Sequence, residues 1–221
     1  MNSRIAEHYN ARPDKGREQR KDSVIFHMKS FNNWVKSVLI DKFTKPRAVV
    51  LDLCCGKGGD LLKWNKALVT EVVGLDIASV SVDQASARFH QGRNLRFKAS
   101  FHAVDCFSAE VMHLLNGRTF DLISVQFALH YAFESEGKFR QAMQNISSHL
   151  KPGGIIIGTI PNANWIYKKM VTEGLSFGNS IYRITFESAE PRLFGHKYQF
   201  ELADAIDDCP EYLINHCTFK K

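Results

Sequence analysis

The chain has little of what marks membrane, secreted or metal-stabilised proteins. None of its apolar runs approaches the roughly 20 residues that span a bilayer. Its five cysteines are scattered and odd in number, and the adjacent Cys54 and Cys55 suit neither a disulfide framework nor a Cys-x-x-Cys metal site. His216 and Cys217 also stand without further metal-ligating neighbours in the sequence. We therefore expect reduced thiols, no bound metal and no membrane partner.

What the chain does have is an ordinary globular composition with an excess of positive charge. Its 221 residues are 44% hydrophobic, which is enough for one α/β domain with a substantial core. The formal net charge of +6 favours an anionic partner, with nucleic acid as the first candidate. Basic side chains that only keep a surface soluble explain the same charge equally well, so composition alone leaves the partner open.

The first helical pattern follows a polar stretch. We interpret residues 1–28 as a polar N-terminal arm, mobile or irregular, and residues 29–221 as the main domain. Apolar residues then recur at helical spacing, which predicts an amphipathic helix with that face buried; they are Phe31, Trp34, Val35, Val38 and Leu39. Asn32 or Asn33 is suited to capping the start of this helix.

Short apolar runs alternate with helical patterns through the middle of the chain. The runs fall at residues 49–53, 72–76, 101–105, 120–127 and 155–160. This alternation predicts an α/β fold with a doubly wound, mostly parallel sheet, which binds ligands at the carboxyl ends of its strands. Asp76, Asp105 and Gln126 lie at three such ends. After the fifth run, residues 181–186 and 197–202 predict a small antiparallel insertion.

Residues 49–61 form the most informative segment. An apolar run that carries Asp52 stops at three glycines, and a helical pattern follows. This order predicts a strand, a loop whose backbone lies close to a ligand, and a helix that starts at the same point. Cys54 replaces the first glycine of a dinucleotide fingerprint, and the Lys-Ser/Thr pair of a phosphate loop is absent. The form Asp-Leu-x-x-Gly-x-Gly-Gly instead resembles the first motif of Rossmann-like S-adenosylmethionine methyltransferases.

Two acids accompany this loop, and each has two interpretations. Asp76 comes about 20 residues after Gly56, where a carboxylate can accept both ribose hydroxyls of an adenosyl or nicotinamide cofactor. Asp105 can accept the exocyclic amine of adenine. Either acid can instead cap the helix that follows it. The loop and Asp76 together favour the ligand role, whereas the spacing of Asp105 leaves both roles open.

Beyond the fold, the chain resembles the messenger-RNA cap guanine-N7 methyltransferase family over residues 4–214. The most specific match combines the Phe-Asn-Asn-Trp helix with Gly-Lys-Gly-Gly-Asp-Leu-x-Lys-Trp, because generic methyltransferases lack both. The segments that carry the resemblance are His8-Tyr9-Asn10, Phe31-Asn32-Asn33-Trp34-Val35-Lys36, Cys55-Gly56-Lys57-Gly58-Gly59-Asp60-Leu61, Asp76-Ile77-Ala78, Gln126-Phe127-Ala128-Leu129-His130-Tyr131, Phe194-Gly195-His196-Lys197-Tyr198 and Cys209-Pro210-Glu211.

The resemblance implies binding of S-adenosyl-L-methionine and of 5'-capped RNA in the nucleus, alongside capping enzyme and RNA polymerase II. It assigns cofactor contacts to Lys36, Cys54, Gly56, Asp76, Asp105, Gln126 and Tyr131. It assigns cap contacts to Asn32, Asn33, Lys57, Lys63, Arg88, His130 and Glu211. His130 and Glu211 would orient the guanine, and no residue would act as general base, because neutral guanine N7 already carries the attacking lone pair.

Structural interpretations stand beside these roles. Asn32 and Asn33 can cap their helix, and Lys63 can lie on a solvated face. Arg88 can pair with a surface acid, and Glu211 can begin a short helix after Pro210. The resemblance favours the functional interpretation for all of them.

The chain departs from the family at two points. Cys54 stands where the family has glycine, and the sixth and seventh strands of the sheet have no counterpart after Leu213. We therefore expect an exposed edge at the fifth strand and a lower stability than that of a complete relative. The alternative functions are a non-catalytic or weakly active truncated cap-binding form and a methyltransferase for another RNA.

Overall fold

The computed structural model of the chain describes residues 2–11 and 22–215. The helices are α1 (Asn2–Asn10), α2 (Phe26–Phe43), α3 (Leu61–Lys66), α4 (Ser79–Gln91), α5 (Glu110–Leu115), α6 (Glu136–His149) and α7 (Ala163–Glu173), with a 3-10 helix at Leu129–Glu134. The strands are β1 (Val49–Leu53), β2 (Glu71–Asp76), β3 (Lys98–Ala103), β4 (Phe120–Gln126), β5 (Leu150–Thr159), β6 (Ser176–Gly178), β7 (Tyr182–Phe186), β8 (Lys197–Leu202) and β9 (Ile206–Tyr212).

The first five strands form one parallel sheet in the order β3-β2-β1-β4-β5. The central strand β1 pairs Leu51 with Val73 of β2 on one side and with Ile123 of β4 on the other. All three side chains are almost completely buried, as expected for a parallel strand covered on both faces. The predicted doubly wound sheet is therefore confirmed, and the chain reverses its strand order beside β1, where such sheets bind ligands.

The last four strands form a separate antiparallel sheet in the order β6-β7-β8-β9. The predicted pairing of residues 181–186 with 197–202 is confirmed, with Ile184 opposite Phe200. Strands β6 and β9 were not predicted. Pro210 lies within β9, opposite Gln199, and it is tolerated there because β9 is an edge strand of this sheet. The alternative in which Glu211 begins a helix after Pro210 is wrong, because Glu211 belongs to β9.

The interpretation of residues 1–28 as an irregular arm is wrong for residues 2–10, which form α1, and for residues 26–28, which begin α2. Ile5 of α1 is only 5% exposed and packs in the core cluster that also holds Leu51 and Ile123. The sequence did not predict this helix because so short an element can be fixed by very few apolar side chains, which leave no helical periodicity to recognise. Residues 12–21 of the predicted arm lie outside the described residues.

The predicted buried face of α2 is wrong at three of its five residues, although Leu39 does pack against the core. Phe31 and Trp34 are 61% and 60% exposed, and Val38 is exposed as well. Ile40, on the opposite side of the helix, is buried against Ala48 and Trp64 instead. The helix begins at Phe26, so Asn32 and Asn33 lie in its interior and do not cap its start.

Strand β5 pairs with β4 on one side, and no other strand of the described residues pairs with it. Ile156 of β5 is correspondingly exposed. No helix among residues 2–11 and 22–215 is both long and apolar enough to cross a membrane.

Candidate active site

The glycine loop between β1 and α3 is fixed by hydrogen bonds that its own backbone amides donate to the end of β2. The amide of Cys55 donates to the carbonyl of Leu75 (3.0 Å), and the amide of Gly56 donates to Asp76 Oδ2 (2.8 Å). Gly56 has φ +52°, and a Cβ there would meet no described atom within 4 Å. Gly58 has φ +67° and lies so close to Ala85 that a Cβ would sit 3.2 Å from it. The loop therefore needs glycine for two reasons, and it leaves free space in front of Gly56.

Asp76 ends β2 and fixes this loop. Its Oδ2 accepts the amide of Gly56 and its Oδ1 accepts the amide of Ala78 (2.9 Å). Burial raises the pKa of Asp76, and these amide donors oppose the rise. Because each carboxylate oxygen has two lone pairs, each can still accept a ligand hydroxyl. The interpretation of Asp76 as a helix cap is wrong, because Ala78 is the N-cap of α4 and no described side chain caps it, whereas the ligand role stays a prediction.

Asp105 and Cys54 approach the same edge of the sheet. Asp105 lies two residues beyond the end of β3, and its Oδ1 accepts the amide of Phe107 (3.0 Å). Cys54 takes a φ of +58°, a backbone conformation that favours glycine. Its amide donates to Cys106 Sγ (3.2 Å). The thiol of Cys106 in turn donates to the carbonyl of Leu75 (3.4 Å).

A network of charges joins α2 to the start of α3. Asp60 Oδ2 accepts from Lys36 Nζ (2.9 Å), and Asp60 Oδ1 accepts from Lys63 Nζ (2.7 Å). Lys63 also donates to Asn33 Oδ1 (2.6 Å). Burial alone would raise the pKa of Asp60, but the two ammonium groups outweigh it and hold that pKa below its usual value. The interpretation of Lys63 as a solvated surface lysine is therefore wrong.

Asp52 lies beneath this network, in the interior of β1. It is 6% exposed and accepts a long hydrogen bond from Trp64 Nε1 (3.4 Å). Burial and the charge of Asp60 raise the pKa of Asp52 to about 7, while the charge of Lys36 opposes the rise. A carboxylate in this state can take up a proton or a cationic ligand group near neutral pH.

Gln126 and Tyr131 follow β4. Gln126 accepts from Thr159 Oγ1 (3.0 Å) and donates to Ser124 Oγ (3.3 Å), which ties it to the carboxyl end of β5. Tyr131 is buried, and its hydroxyl lies 3.0 Å from that of Tyr9 in α1 and 3.8 Å from Cys209 Sγ. Burial raises the pKa of Tyr131. The N-terminal helix therefore closes over this side of the site.

Glu211 and His130 meet inside the molecule. Glu211 is 4% exposed, and its Oε2 accepts the hydroxyl of Tyr198 (2.7 Å). Its Oε1 lies 3.5 Å from His130 Nε2. His130 is 2% exposed, yet neither of its ring nitrogens has a hydrogen-bond partner among the described residues. A buried imidazole without partners is costly unless a ligand or water satisfies it.

The remaining predicted contacts come from three different elements, and α4, which carries Arg88, begins at this edge of the sheet and runs away from it. Arg88 is a half-buried residue of the last turn of α4, and Lys57 is a half-buried residue of the glycine loop. Asn32 is half-buried in α2. Their roles toward a cap stay predictions. Among residues 2–11 and 22–215, no group of three or more His, Cys, Asp or Glu side chains is placed to hold a metal ion.

Sequence reasoning missed three groups that the geometry brings into the site. Asp60 pairs with both Lys36 and Lys63. Its position directly after the glycine loop is the one feature of the sequence that could have indicated a role in the site. Tyr198 anchors Glu211, but strand alternation cannot tell an inward polar residue from a core one. Tyr9 contacts Tyr131 and lies in a segment that the family resemblance had already included.

Comparison with known proteins agrees with this geometry. Residues 1–221 match the mRNA (guanine-N(7))-methyltransferase domain. The chain is 47% identical to the mRNA cap guanine-N(7) methyltransferase of Schizosaccharomyces pombe over 98% of its length. It is 44% identical, again over 98%, to mRNA cap guanine-N(7) methyltransferase 1 of Oryza sativa. It spans 63% of the length of each of these relatives.

Among solved structures, the fold matches that of magnesium protoporphyrin IX methyltransferase from Synechocystis. The TM-score is 0.53 at 14% identity, over 86% of this chain and 92% of that one, which supports a Rossmann-like methyltransferase fold. With its parallel sheet, its glycine loop and the match along its whole length, the chain belongs to the mRNA (guanine-N(7))-methyltransferase domain family.

Proposed function

We propose that this chain forms the part of a cap methyltransferase that transfers the methyl group of S-adenosyl-L-methionine to N7 of the guanine in GpppN-ended RNA. The observation that carries the proposal is the buried pair of Glu211 and His130, 3.5 Å apart, with His130 lacking any described hydrogen-bond partner. A buried carboxylate beside an imidazole without a hydrogen-bond partner in the described part of the chain suits recognition of a polar, planar base such as guanine.

The proposed guanine and cofactor subsites lie beside each other. Tyr9 and Tyr131 share a hydrogen bond, and Tyr131 follows His130 in the chain. Burial raises the pKa of Tyr9, and the charges of Glu211 and Asp76 both add to the rise. Tyr9 is therefore within electrostatic reach of both carboxylates, which supports the proposal that the two subsites are neighbours.

On the cap side, Glu211 would accept the N1 and N2 hydrogens of guanine. The Tyr198 hydroxyl holds one carboxylate oxygen and leaves Oε1 turned toward His130. Guanine gains positive charge as its N7 is methylated, so a fixed carboxylate stabilises the transition state more than the ground state. His130 would supply a further polar contact to the base edge.

On the cofactor side, the described residues fit an adenosyl group. The open space in front of Gly56 would take part of it, Asp76 would accept the ribose hydroxyls, and Asp105 would accept the adenine amine. When bound, the cofactor supplies a methyl group on a sulfonium centre. Lys36 would pair with its carboxylate through ammonium hydrogens that Asp60 leaves free. Cys54, Gln126 and Tyr131 would line the methionine end.

The triphosphate bridge of the cap would meet Lys57, Lys63 and Arg88. Lys63 already donates to Asp60, to Asn33 and, at 3.4 Å, to the carbonyl of Gly59. An ammonium group has three donors, so a phosphate contact requires Lys63 to exchange one of them. The long contact to Gly59 is the weakest of the three. Asn32 and Asn33 would add polar contacts from α2.

Catalysis in this proposal comes from orientation and field. Neutral guanine N7 needs no deprotonation, so no general base is assigned. Alignment of two bound reactants can contribute roughly 7–11 kcal/mol to lowering the barrier. The family setting adds a nuclear location and contact with capping enzyme and RNA polymerase II to the proposal.

The test is methyl transfer from labelled S-adenosylmethionine to three RNAs of one sequence that end in GpppG, m7GpppG or ppp. We expect label on the GpppG-ended RNA alone, released by nucleases as m7GpppG. Equal labelling of the RNA already methylated at N7 would contradict the proposal, because another atom would then be the acceptor. Labelling of the triphosphate-ended RNA would point to a methyltransferase for another RNA substrate.

A further inference from the structure

Two cysteines whose thiols take no part in the chemistry of the proposed methyl transfer come close together at the edge of the parallel sheet. Cys54 follows β1 and is half-buried, whereas Cys106 follows β3 and is 2% exposed. Cys106 Sγ lies 3.2 Å from the backbone nitrogen of Cys54. A hydrogen bond with the Cys106 thiol is also the largest cause of the raised pKa of the Cys54 thiol. The Cys106 sulfur is thus in contact with the backbone of Cys54.

The strand order gives this contact its geometry. Because β2 lies between β1 and β3 in the sheet, the pair of thiols crosses the carboxyl end of β2. Cys106 donates to the carbonyl of Leu75, and the next residue is Asp76. The charges of Asp76 and Asp105 both reach the Cys54 thiol. The Cys54 thiol is therefore within electrostatic reach of both carboxylates proposed to bind adenosine.

The neighbouring cysteine is placed differently. Cys55 Sγ lies beside Gly74 of β2, where a Cβ on that glycine would be 2.9 Å from the sulfur. Its thiol donates weakly to the carbonyl of Gly56 (3.7 Å). Adjacent in sequence to Cys54 but turned toward a different strand, Cys55 offers a matched control.

We propose that Cys54 and Cys106 are a modification site for low-molecular-weight disulfides, which convert them to an intramolecular disulfide that weakens cofactor binding. The Cys54 thiolate attacks a disulfide RSSR and forms Cys54–S–S–R with release of RS⁻. The Cys106 thiolate then attacks the Cys54 sulfur, forms the Cys54–Cys106 bond and expels the second RS⁻. Two thiols lose their protons, two electrons pass to RSSR, and two RSH result.

The bond needs a small rearrangement with a definite consequence. A disulfide requires Cα atoms about 4.4–6.8 Å apart, and a sulfur already in contact with the partner's backbone needs chiefly a side-chain rotation. Once bonded, Cys106 Sγ can no longer keep its present contacts with both the Cys54 amide and the Leu75 carbonyl. The loop at residues 54–56 and the end of β2 would then shift together. The loss of affinity rests on the proposed function, whereas closure of the disulfide does not.

Contact with Cys106, together with burial, raises the pKa of Cys54. Because the thiolate is the attacking form, closure of the disulfide should be slow at neutral pH and faster as the pH rises.

The experiment treats the full chain with oxidised glutathione, with and without S-adenosylhomocysteine. Alkylation of remaining thiols and peptide mass spectrometry then follow. We expect a linked 54–106 peptide, slower linkage in the presence of the ligand, and reversal by dithiothreitol. Affinity for S-adenosylhomocysteine should fall at least about tenfold in the linked form.

Two variants identify the thiols. Cys55→Ser should still form the linked peptide, whereas Cys106→Ser should stop at a glutathione adduct on Cys54. Two outcomes would contradict the proposed disulfide. One is free thiols at both positions after oxidation, and the other is a glutathione adduct on Cys54 that persists in the unsubstituted chain. A linked form with unchanged affinity would overturn its effect on the cofactor. If the reduced chain does not bind S-adenosylhomocysteine, the proposed function fails, while the linked peptide still decides the thiol site.

Discussion

The two sides of the candidate site are held by different kinds of contact. On the proposed cofactor side, backbone amides and glycines shape the site, and Asp76 fixes them from the end of a parallel strand. On the proposed cap side, buried side chains from β8, β9 and the 3-10 helix meet each other, with Tyr198 holding Glu211 beside His130. The first side is encoded locally in sequence, and the second depends on segments far apart in the chain. Substitutions away from Asp60, which pairs with a lysine of each side, should therefore affect one side at a time.

The largest expected effect is at Glu211, on the cap side. Glu211→Gln keeps the side-chain volume but removes the charge that would stabilise methylated guanine. We expect kcat/KM for GpppRNA to fall by about 10²–10³-fold, with affinity for S-adenosylhomocysteine unchanged. Initial rates and calorimetric titration measure the two quantities.

The control for Glu211→Gln is Glu201→Gln, which changes an exposed carboxylate on β8, the adjacent strand. It should retain full activity. Equal loss in the two variants would show that the antiparallel sheet, and not the carboxylate at position 211, is what the reaction requires.

The next effect is at Asp76, on the cofactor side. Asp76→Asn leaves only one acceptor oxygen for two amide donors and removes the charge facing the ribose hydroxyls. We expect affinity for S-adenosylhomocysteine to fall by about 10–100-fold, with little change in binding of a GpppG cap analogue. Asp83→Asn, at an exposed position of α4, should leave both affinities unchanged. Parallel loss of both ligands in the Asp76 variant would mean that the two sides are not separable.

A smaller effect is expected at Tyr198, which orients Glu211 without serving as the guanine contact itself. Tyr198→Phe removes the hydroxyl that Glu211 accepts and should reduce kcat/KM for capped RNA about tenfold, the size of one hydrogen bond to a charged group. Cofactor affinity should hold. Tyr182→Phe, on the neighbouring strand β7, is the matched control. If Tyr198→Phe were silent in a substrate titration, Glu211 would not need this partner for its orientation.

The smallest effect concerns stability and pH. The raised pKa of Asp52, about 7 against its ordinary 3.8, means that the folded chain keeps a proton which the unfolded chain has lost. The contribution of Asp52 to the free energy of unfolding is fully present below pH 3.8, and it is lost as the pH rises from there through about 7. Asp52→Asn should flatten this slope by an amount on the order of 1 kcal/mol between pH 5 and 8.

Urea unfolding at pH 5, 6, 7 and 8 measures this change. Asp41→Asn, at an exposed position of α2, should keep the slope of the unsubstituted chain. An Asp52 variant with that same slope would show that the proton resides elsewhere in the network with Asp60.

The comparison also explains what the sequence could predict. The run from Val49 to Asp60 revealed a strand, a glycine turn and a ligand-facing loop, because each local choice there agrees with the fold. The apolar face of α2 misled us, because Phe31 and Trp34 follow the helical period yet lie exposed. Periodicity shows that one face differs from the other, but it does not show which face the rest of the chain covers.

Within the site, residue types close to the glycine loop were found and their partners were not. Lys36 and Lys63 were predicted to meet ligands, but the carboxylate of Asp60 that joins them emerges only when α2 packs on α3. Strand β9 was missed because Pro210 interrupts its pattern, and with it the contact between Tyr198 and Glu211. Long-range pairing of this kind leaves no periodic signal in a single sequence.

Asp60 also has a thermodynamic consequence. One carboxylate serves as the shared counter-ion of Lys36, proposed for the cofactor, and of Lys63, proposed for the cap. A ligand that draws either ammonium group away changes how firmly Asp60 holds the other. The two proposed binding equilibria are then linked, and by reciprocity each substrate changes the affinity of the other by the same factor. The cooperativity between the cap and the cofactor would thus be set partly by a residue that contacts neither.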